Sequence, residues 1–360
     1  MHKKQLDGLR FFSFLGVFLY HTNLNRFWFG SYAVPLFFVL SGFLITRILL
    51  EGKGPLKEVL LSFYARRFLR IFPVYYLLLL VLLVLRKIQF PVWNIFYLFN
   101  VKLFLLSLDP HRLVPVLEHW RSAGIHFWSL CVEEQFYLIY PLILLAVPAA
   151  RRLAVLFGLL FTSILCRLIF KIYLGSSYYG VLLPVCGEYL LWGCLSAYVE
   201  KQGIAKHFSP PAILYGGLFF LTLLFLWGQP PIPAWTLSFH PPYRQTLLGI
   251  GFSLLILGLW EADHSWPAKL LAFRPLAYLG KISYGLYLFH PFAWEFRDRF
   301  VKIVPELAGI PQSLFRLALT VIAAALSWHF FESPINRLRK RFSFATGTDA
   351  SPIQDCKKRA

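Results

Sequence analysis

Charge is scarce in this chain of 360 residues. Only 15% are Asp, Glu, Lys or Arg, against about 25% in a soluble domain. Acidic residues are scarcest, 17 against 36 Lys and Arg, giving a formal net charge of +19. There are five cysteines, Cys131, Cys166, Cys186, Cys194 and Cys356, and no CxxC pair, so neither a disulfide framework nor a zinc site is indicated. No other metal site is expected. Small residues of an Ala-x-Ala cleavage site are missing after Phe18, so the first apolar run reads as retained and not as a signal peptide. The alternation over about ten residues that marks barrel strands is missing too. No internal repeat, low-complexity block or sizeable soluble domain is visible.

What the chain has instead is apolar residues, 58%, with 18% aromatic and a mean hydropathy of +0.60. A bilayer core about 30 Å thick takes roughly 20 mostly apolar residues per helix. Residues 27–46 and 207–243 contain no Asp, Glu, Lys or Arg at all. The expected fold is therefore all-α, a polytopic bundle of ten transmembrane helices at about 7–25, 31–50, 70–87, 125–147, 152–172, 179–199, 210–228, 243–261, 276–295 and 313–331. Residues 91–108 are apolar but short and begin at Pro91; they read as an eleventh span or an interfacial helix, and ten spans are preferred.

The basic residues lie between apolar runs, the pattern of cytoplasmic loops and not of a nucleic-acid-binding face. With a cytoplasmic N-terminus, the inner segments carry 20 Lys and Arg and the outer ones 11. This bias puts both termini in the cytoplasm of a multi-pass protein of the plasma (bacterial inner) membrane. An eleventh span would invert every later loop and blur it. Residues 1–342 form one membrane domain, and the polar stretch 343–360 reads as a disordered cytoplasmic tail.

Ionisable residues inside spans are costly and need an account. Asp7, Arg10 and His21 share the first. Arg10 and His21 are 11 positions apart, about three turns plus 20°, so they share a helical face about 16 Å apart along the axis. Histidine is suited to take a proton near neutral pH; the alternatives are a snorkelling Arg and a packing His. Arg66, Arg67 and Arg70 form a cytoplasmic cluster before Pro73, either a phosphate site or an anchor for anionic lipids. Glu133 and Glu134 follow His126, Trp128 and Ser129 at the start of an apolar run. Acids there favour the macrodipole of a first helical turn, which does not explain the crowd of polar and aromatic neighbours. Tyr284 and His290 lie in the ninth span, where Gly280 and Gly285 permit close helix approach. Ser41, beside Gly42, is expected to serve packing, and Glu332 to pair with a basic residue near the interface.

Five segments in order carry a resemblance: Leu6-Asp7-Gly8-Leu9-Arg10 with His21; Val34 to Thr46 through Ser41-Gly42-Phe43; Phe63-Tyr64-Ala65-Arg66-Arg67-Phe68-Leu69-Arg70-Ile71-Phe72-Pro73; Trp128-Ser129-Leu130-Cys131-Val132-Glu133; and Ile282 to His290. Together they resemble the acyltransferase-3 family of membrane O-acyltransferases. The resemblance implies a roughly ten-helix bundle, an acyl-coenzyme A donor (usually acetyl-CoA) and a hydroxyl acceptor on a saccharide or related molecule; the placement of the basic residues already speaks against a nucleic-acid partner. It maps the family's essential Arg and His onto Arg10 and His21, and its RxxR-like cluster onto Arg67 and Arg70. Pro35, and Cys131 in place of a common Ser, depart from the pattern. The chain looks like a standalone member without a fused extracellular esterase-like domain. On this basis His21, Arg10 and Glu133 are the expected catalytic residues. Arg66, Arg67 and Arg70 are expected to bind the donor, and Asp7, Trp128, Ser129, Tyr284 and His290 the acceptor. A transporter or exporter, which tolerates intramembrane His and Arg but predicts inverted repeats, and a structural scaffold are the rival classes.

Overall fold

The computed structural model describes residues 3–21, 28–118, 124–174, 177–227, 242–293 and 312–342. The stretch 343–360, expected to be a disordered tail, lies outside them. No β-strand occurs among the described residues. The helices are α1 (Lys4–His21), α2 (Ala33–Glu51), α3 (Leu56–Val84), α4 (Pro91–Ile95), α5 (Phe99–Ser107), α6 (Pro110–Glu118), α7 (Phe127–Ala146), α8 (Arg152–Leu174), α9 (Leu183–Lys201), α10 (Pro210–Leu226), α11 (Pro242–Glu261), α12 (Trp266–Leu271), α13 (Arg274–Lys281), α14 (Ser283–Phe289) and α15 (Gln312–Ser327). A π-helical turn (Trp328–Glu332), α16 (Ser333–Arg337) and a 3-10 turn (Leu338–Phe342) follow.

Six helical stretches are long and apolar enough to cross a membrane: Gly30–Glu51, Leu56–Val84, Phe127–Ala146, Ala149–Leu174, Tyr243–Glu261 and Gln312–Phe342. Large apolar side chains on the bundle exterior, such as Val84, Phe161 and Leu226, are more than 65% exposed. Such a surface is at home only in lipid, and the chain is a multi-pass membrane protein.

Two expected spans change shape. The third was expected to begin at residue 70, because Lys57, Glu58, Arg66 and Arg67 interrupt the hydropathy. In the structure α3 already begins at Leu56, so the arginine cluster lies inside a helix and not in a loop. The ninth is broken at Ile282 into α13 and α14. Residues 91–108 fold as α4 and α5, and α5 at about 1.5 Å per residue is too short to span the core.

Two apolar cores pack side by side. One joins α2, α9, α10 and α11 through Phe43, Ile45, Leu190, Ala197 and Leu259. The other joins α1, α3, α5 and α14 through Phe14, Phe18, Tyr75, Phe99 and Leu286. Close approach depends on glycine. A Cβ on Gly193 would fall 1.9 Å from the Val39 carbonyl oxygen, and one on Gly280 would fall 1.7 Å from that of Asp7. The second contact seats α13 on the first turns of α1, beside the polar residues of that helix.

The first core contains one fully buried ion pair. Arg167 of α8 pairs with Glu188 of α9. Thr246 donates to Glu188 at 2.6 Å, and Arg167 donates to Thr246 at 3.1 Å. Glu332 is also buried; it accepts from Ser327 at 2.8 Å, and the Arg70 guanidinium is near enough to act on its carboxyl by charge. The pair makes a prediction. Arg167→Met alone strands the Glu188 carboxylate, at a cost of about 3–5 kcal/mol; the joint replacement Arg167→Met with Glu188→Leu costs less. In unfolding of the purified protein in detergent, the single variant is expected to lose more stability than the double. The opposite order would show that the pair is not a stabilising unit.

Candidate active site

At the end of the bundle where α1 begins, five segments converge on one cavity of about 400 Å³. Lys3, Asp7 and Arg10 come from α1 and its approach, and Arg47 and Glu51 from the end of α2. Arg66, Arg67 and Arg70 come from α3, Trp260 from the end of α11, and Arg339 from the closing turn. Two hydrogen bonds hold the chain's described ends here. Lys3 donates to Asp263 at 2.6 Å, which holds that carboxyl below the usual range. Ser62 of α3 donates to the Phe342 carbonyl at 2.6 Å.

The charges in this vestibule do not balance. Asp7 and Glu51 are the carboxylates of its lining, against six arginines and one lysine. Asp7 accepts from Arg10 at 2.9 Å. Glu51 accepts from both Arg47 and Lys201 at 2.7 Å. Arg47 also pairs with Glu200 and lies over the Trp260 ring at 3.8 Å. The guanidinium of Arg67 lies over the ring of Tyr137 at 4.9 Å. The surplus positive charge suits an anion carrying several negative groups, and arginine forks suit phosphates.

Arg10, Arg67 and Arg70 also line a second, narrower cavity of about 90 Å³, less than a quarter of the vestibule. Ser41, Ser129, Glu133, Glu134, Tyr137, Ser283, Tyr284 and Tyr287 complete the polar part of its wall. The wall draws on both cores and so lies along the seam between them. Ser41 donates to Glu133 at 2.6 Å. Its expected packing role falls instead to Gly42, which meets the Leu190 backbone. The first turn of α7 contains no acid. Glu133 and Glu134 belong to its second and third turns, so the helix macrodipole does not account for them.

Beyond the neck, at the far end of α1, His21 Nδ1 lies 2.9 Å from His290 Nε2. The two ring planes are nearly parallel, 8° apart, with centroids 5.2 Å apart, so the two nitrogens face each other edge to edge. His290 Nδ1 donates to the Tyr287 carbonyl at 2.7 Å. The Tyr287 hydroxyl donates to the His126 carbonyl at 2.9 Å and meets Ser129 Oγ at 2.6 Å. Tyr287 therefore stands in the neck wall with one end of its residue and holds His290 with the other. Among the described residues, no group of three or more His, Cys, Asp or Glu is arranged to hold a metal ion.

The acyltransferase-3 family model, described as an acyltransferase domain, matches residues 3–331 of this sequence. The chain belongs to this family. Among curated proteins, it is 29% identical to O-acetyltransferase OatA of Staphylococcus aureus over 94% of this chain and 58% of that one. It is 31% identical to the putative peptidoglycan O-acetyltransferase YrhL of Bacillus subtilis, over 92% and 54%. It is 28% identical to peptidoglycan O-acetyltransferase OatA of Listeria monocytogenes, over 92% and 55%. The chain thus spans little more than half the length of these relatives. No solved structure matches it.

In this acyltransferase-3 member the residues singled out from sequence fall into three places. Asp7 and Arg66 line the vestibule, and Arg10, Arg67 and Arg70 line both vestibule and neck. Ser129, Glu133 and Tyr284 line the neck. His21 and His290 form the pair beyond it. Trp128 belongs to neither cavity wall and packs edge-on against Phe38. Sequence reasoning passed over Arg339, Tyr137 and Tyr287. Arg339 stands in a basic stretch, Arg337 to Arg341, that reads as an ordinary cytoplasmic flank; only the fold of the closing turn onto α3 distinguishes it. A hydrogen bond to a charged group contributes about 1.5–3 kcal/mol, tenfold or more in affinity. Arg339→Gln is therefore expected to raise the Kd of the purified protein for inorganic pyrophosphate, a probe of the surplus positive charge, about tenfold by calorimetry. Arg112→Gln, on an exposed helix elsewhere, should leave it unchanged; equal effects would make the interaction non-specific.

Proposed function

We propose that this chain is a membrane O-acyltransferase that moves an acyl group, in the first instance acetyl, from acyl-CoA to a hydroxyl of a cell-wall saccharide. The observation that carries this reading is the series laid along α1: a vestibule with surplus arginines, a narrow neck, and a histidine pair about 16 Å from Arg10. The acceptor class is read from relatives whose names specify peptidoglycan O-acetylation.

Topology supports a donor arriving from the cytoplasm of a plasma-membrane protein. Four further crossings, α1, α9, α10 and the broken α13–α14, complete ten. All have reasons to be missed by hydropathy: polar residues on α1 and α9, 17 residues in α10, and the break at Ile282. With ten crossings, Lys3, Glu51, Glu200, Trp260 and Arg339 all end on one side, where Lys3, Glu51, Trp260 and Arg339 line one vestibule. That side is the one favoured as cytoplasmic by the 20-to-11 bias in Lys and Arg.

Acyl transfer to a hydroxyl needs a held thioester and a base for the hydroxyl proton. Arg10, Arg66, Arg67, Arg70 and Arg339 hold the donor's phosphates in the vestibule, and Asp7 orients Arg10. The neck admits a slender chain and excludes the charged head. Glu133, with Ser129 and Tyr284, orients the reacting groups there. Trp128, behind Phe38, supports that wall. His21 takes the acceptor's hydroxyl proton as its oxygen bonds to the thioester carbonyl carbon. The carbon–sulfur bond breaks, and the thiolate leaves with that proton.

In proteoliposomes supplied with labelled acetyl-CoA outside and a peptidoglycan-derived glycan inside, label is expected to appear on the glycan. His21→Ala should reduce the rate about 10²–10⁴-fold in protein that inserts and purifies normally. Arg67→Glu with Arg70→Glu should raise the KM for the donor. Unchanged transfer by His21→Ala removes the base assignment; glycan movement without label transfer identifies a transporter instead.

A further inference from the structure

An imidazole presents two different nitrogens, and a base works only through the one without a proton. The environment of His21 decides which that is. The deciding group is the carbonyl of Tyr287. Four residues later stands Pro291, which has no N–H to offer this carbonyl as a helix would. The carbonyl instead takes the Nδ1–H of His290 at 2.7 Å. A carbonyl can only accept, so in this bond His290 Nδ1 carries the proton. In a neutral His290 the other nitrogen, Nε2, is then an acceptor. It faces His21 Nδ1 at 2.9 Å, so His21 must bring the proton to that contact. The lone pair of a neutral His21 is thereby left on Nε2.

From this chain of hydrogen bonds we propose that His290 is a positioning residue that fixes His21 in the Nδ1–H tautomer, with Nε2 as the nitrogen that takes the acceptor's proton. The inference rests on the proposed role of His21 and specifies it. His290 would act through His21 and not on the substrate, in place of the acceptor site expected for it from sequence. Its surroundings are built for that task. The side chain is fully buried. The Phe14 and His126 rings stand edge-on to it at 6.1 and 5.4 Å. Tyr287, which holds it, is clamped to the start of α7 through the His126 carbonyl and Ser129. His126 itself cannot substitute, because its Nε2 is directed at the Leu288 carbonyl at 3.3 Å. When His21 gains a proton at Nε2, its Nδ1–H still points at His290 Nε2, so the developing positive charge is met by an acceptor already in place. No covalent step is added; the proton that leaves the acceptor hydroxyl is the one returned to the thiolate.

Two near-isosteric variants separate positioning from packing. In His290→Gln the amide oxygen can reach the place of Nε2 and accept from His21. In His290→Asn the shorter amide can still donate to the Tyr287 carbonyl but falls short of His21. We expect His290→Ala and His290→Asn to lower kcat about 10²-fold or more with the donor KM unchanged, and His290→Gln to recover at least tenfold of that loss. Nitrogen-15 NMR of labelled protein in bilayers should find neutral His21 protonated at Nδ1 in the wild type and in His290→Gln, and not in His290→Asn. Equal activity of the Asn and Gln variants, or a neutral His21 protonated at Nε2 in the wild type, overturns the proposal. The underlying reading fails separately: if His21→Ala is fully active, His21 is not the base whatever His290 does. If His21→Ala is inactive while His290→Ala keeps its kcat, only the positioning role is lost.

Discussion

Hydrocarbon offers no hydrogen-bond partners, so a polar side chain carried into a membrane must find its partner within the protein. The architecture of this chain follows from that constraint. Residues facing outward on α3, α8 and α10 are mostly apolar. Exposed Thr162 and Thr222 bond carbonyls of their own helices, and many other polar side chains turn towards neighbouring helices. Thr46 and Tyr140 meet at 2.8 Å between α2 and α7. Gln135 donates to both the Tyr97 carbonyl and Asn100, tying the short α5 to α7. Each contact fixes the rotation of one helix against another, something apolar packing alone does loosely.

Buried charge divides into two kinds under the same constraint. The Arg167–Glu188 pair is closed, with its charges matched and its carboxylate also bonded by Thr246 and Trp192. That is the pattern of a structural element, in which removing one member is costly but replacing both is not. The vestibule is open. Its arginines outnumber its carboxylates, and the excess lies where five segments meet at one face of the bundle. Such imbalance is tolerable because the cavity is wide enough for water or a charged ligand, and it is what a polyphosphate needs. The narrow neck and the histidine pair are, in turn, too confined for a charged head group. On the function proposed above, size and charge together sort the path into a binding end and a reacting end.

The helical membrane bundle was legible from sequence, and so were many of the polar residues that line its two cavities, because composition and the spacing of intramembrane charges are local properties. Arg10 and His21 share a helix face by arithmetic alone, and Arg67 and Arg70 by their i, i+3 spacing. The start of α3 was not legible. Four charges between residues 57 and 67 look like a loop when hydropathy is averaged, and become helical only because Arg66 and Arg67 turn into a cavity. The break at Ile282 was likewise hidden in an apolar run. α9, which carries Glu188 and Glu200, is buried among α2, α8 and α11, so it does not need a lipid-compatible surface on every side.

By itself, then, the sequence determined that the chain is an all-helical membrane protein and which side chains would be expensive to bury. Both follow from the transfer energies of individual residues. Tertiary structure alone decided which of those side chains meet: Ser41 with Glu133, Arg339 with the arginines of α3, and above all His21 with His290, 269 positions away. Those pairings depend on how helices rotate and where a proline leaves a carbonyl vacant for a side chain. No local pattern encodes such meetings, because the partners are brought together only when the glycine contacts at α2–α9 and α1–α13 let whole helices close on one another.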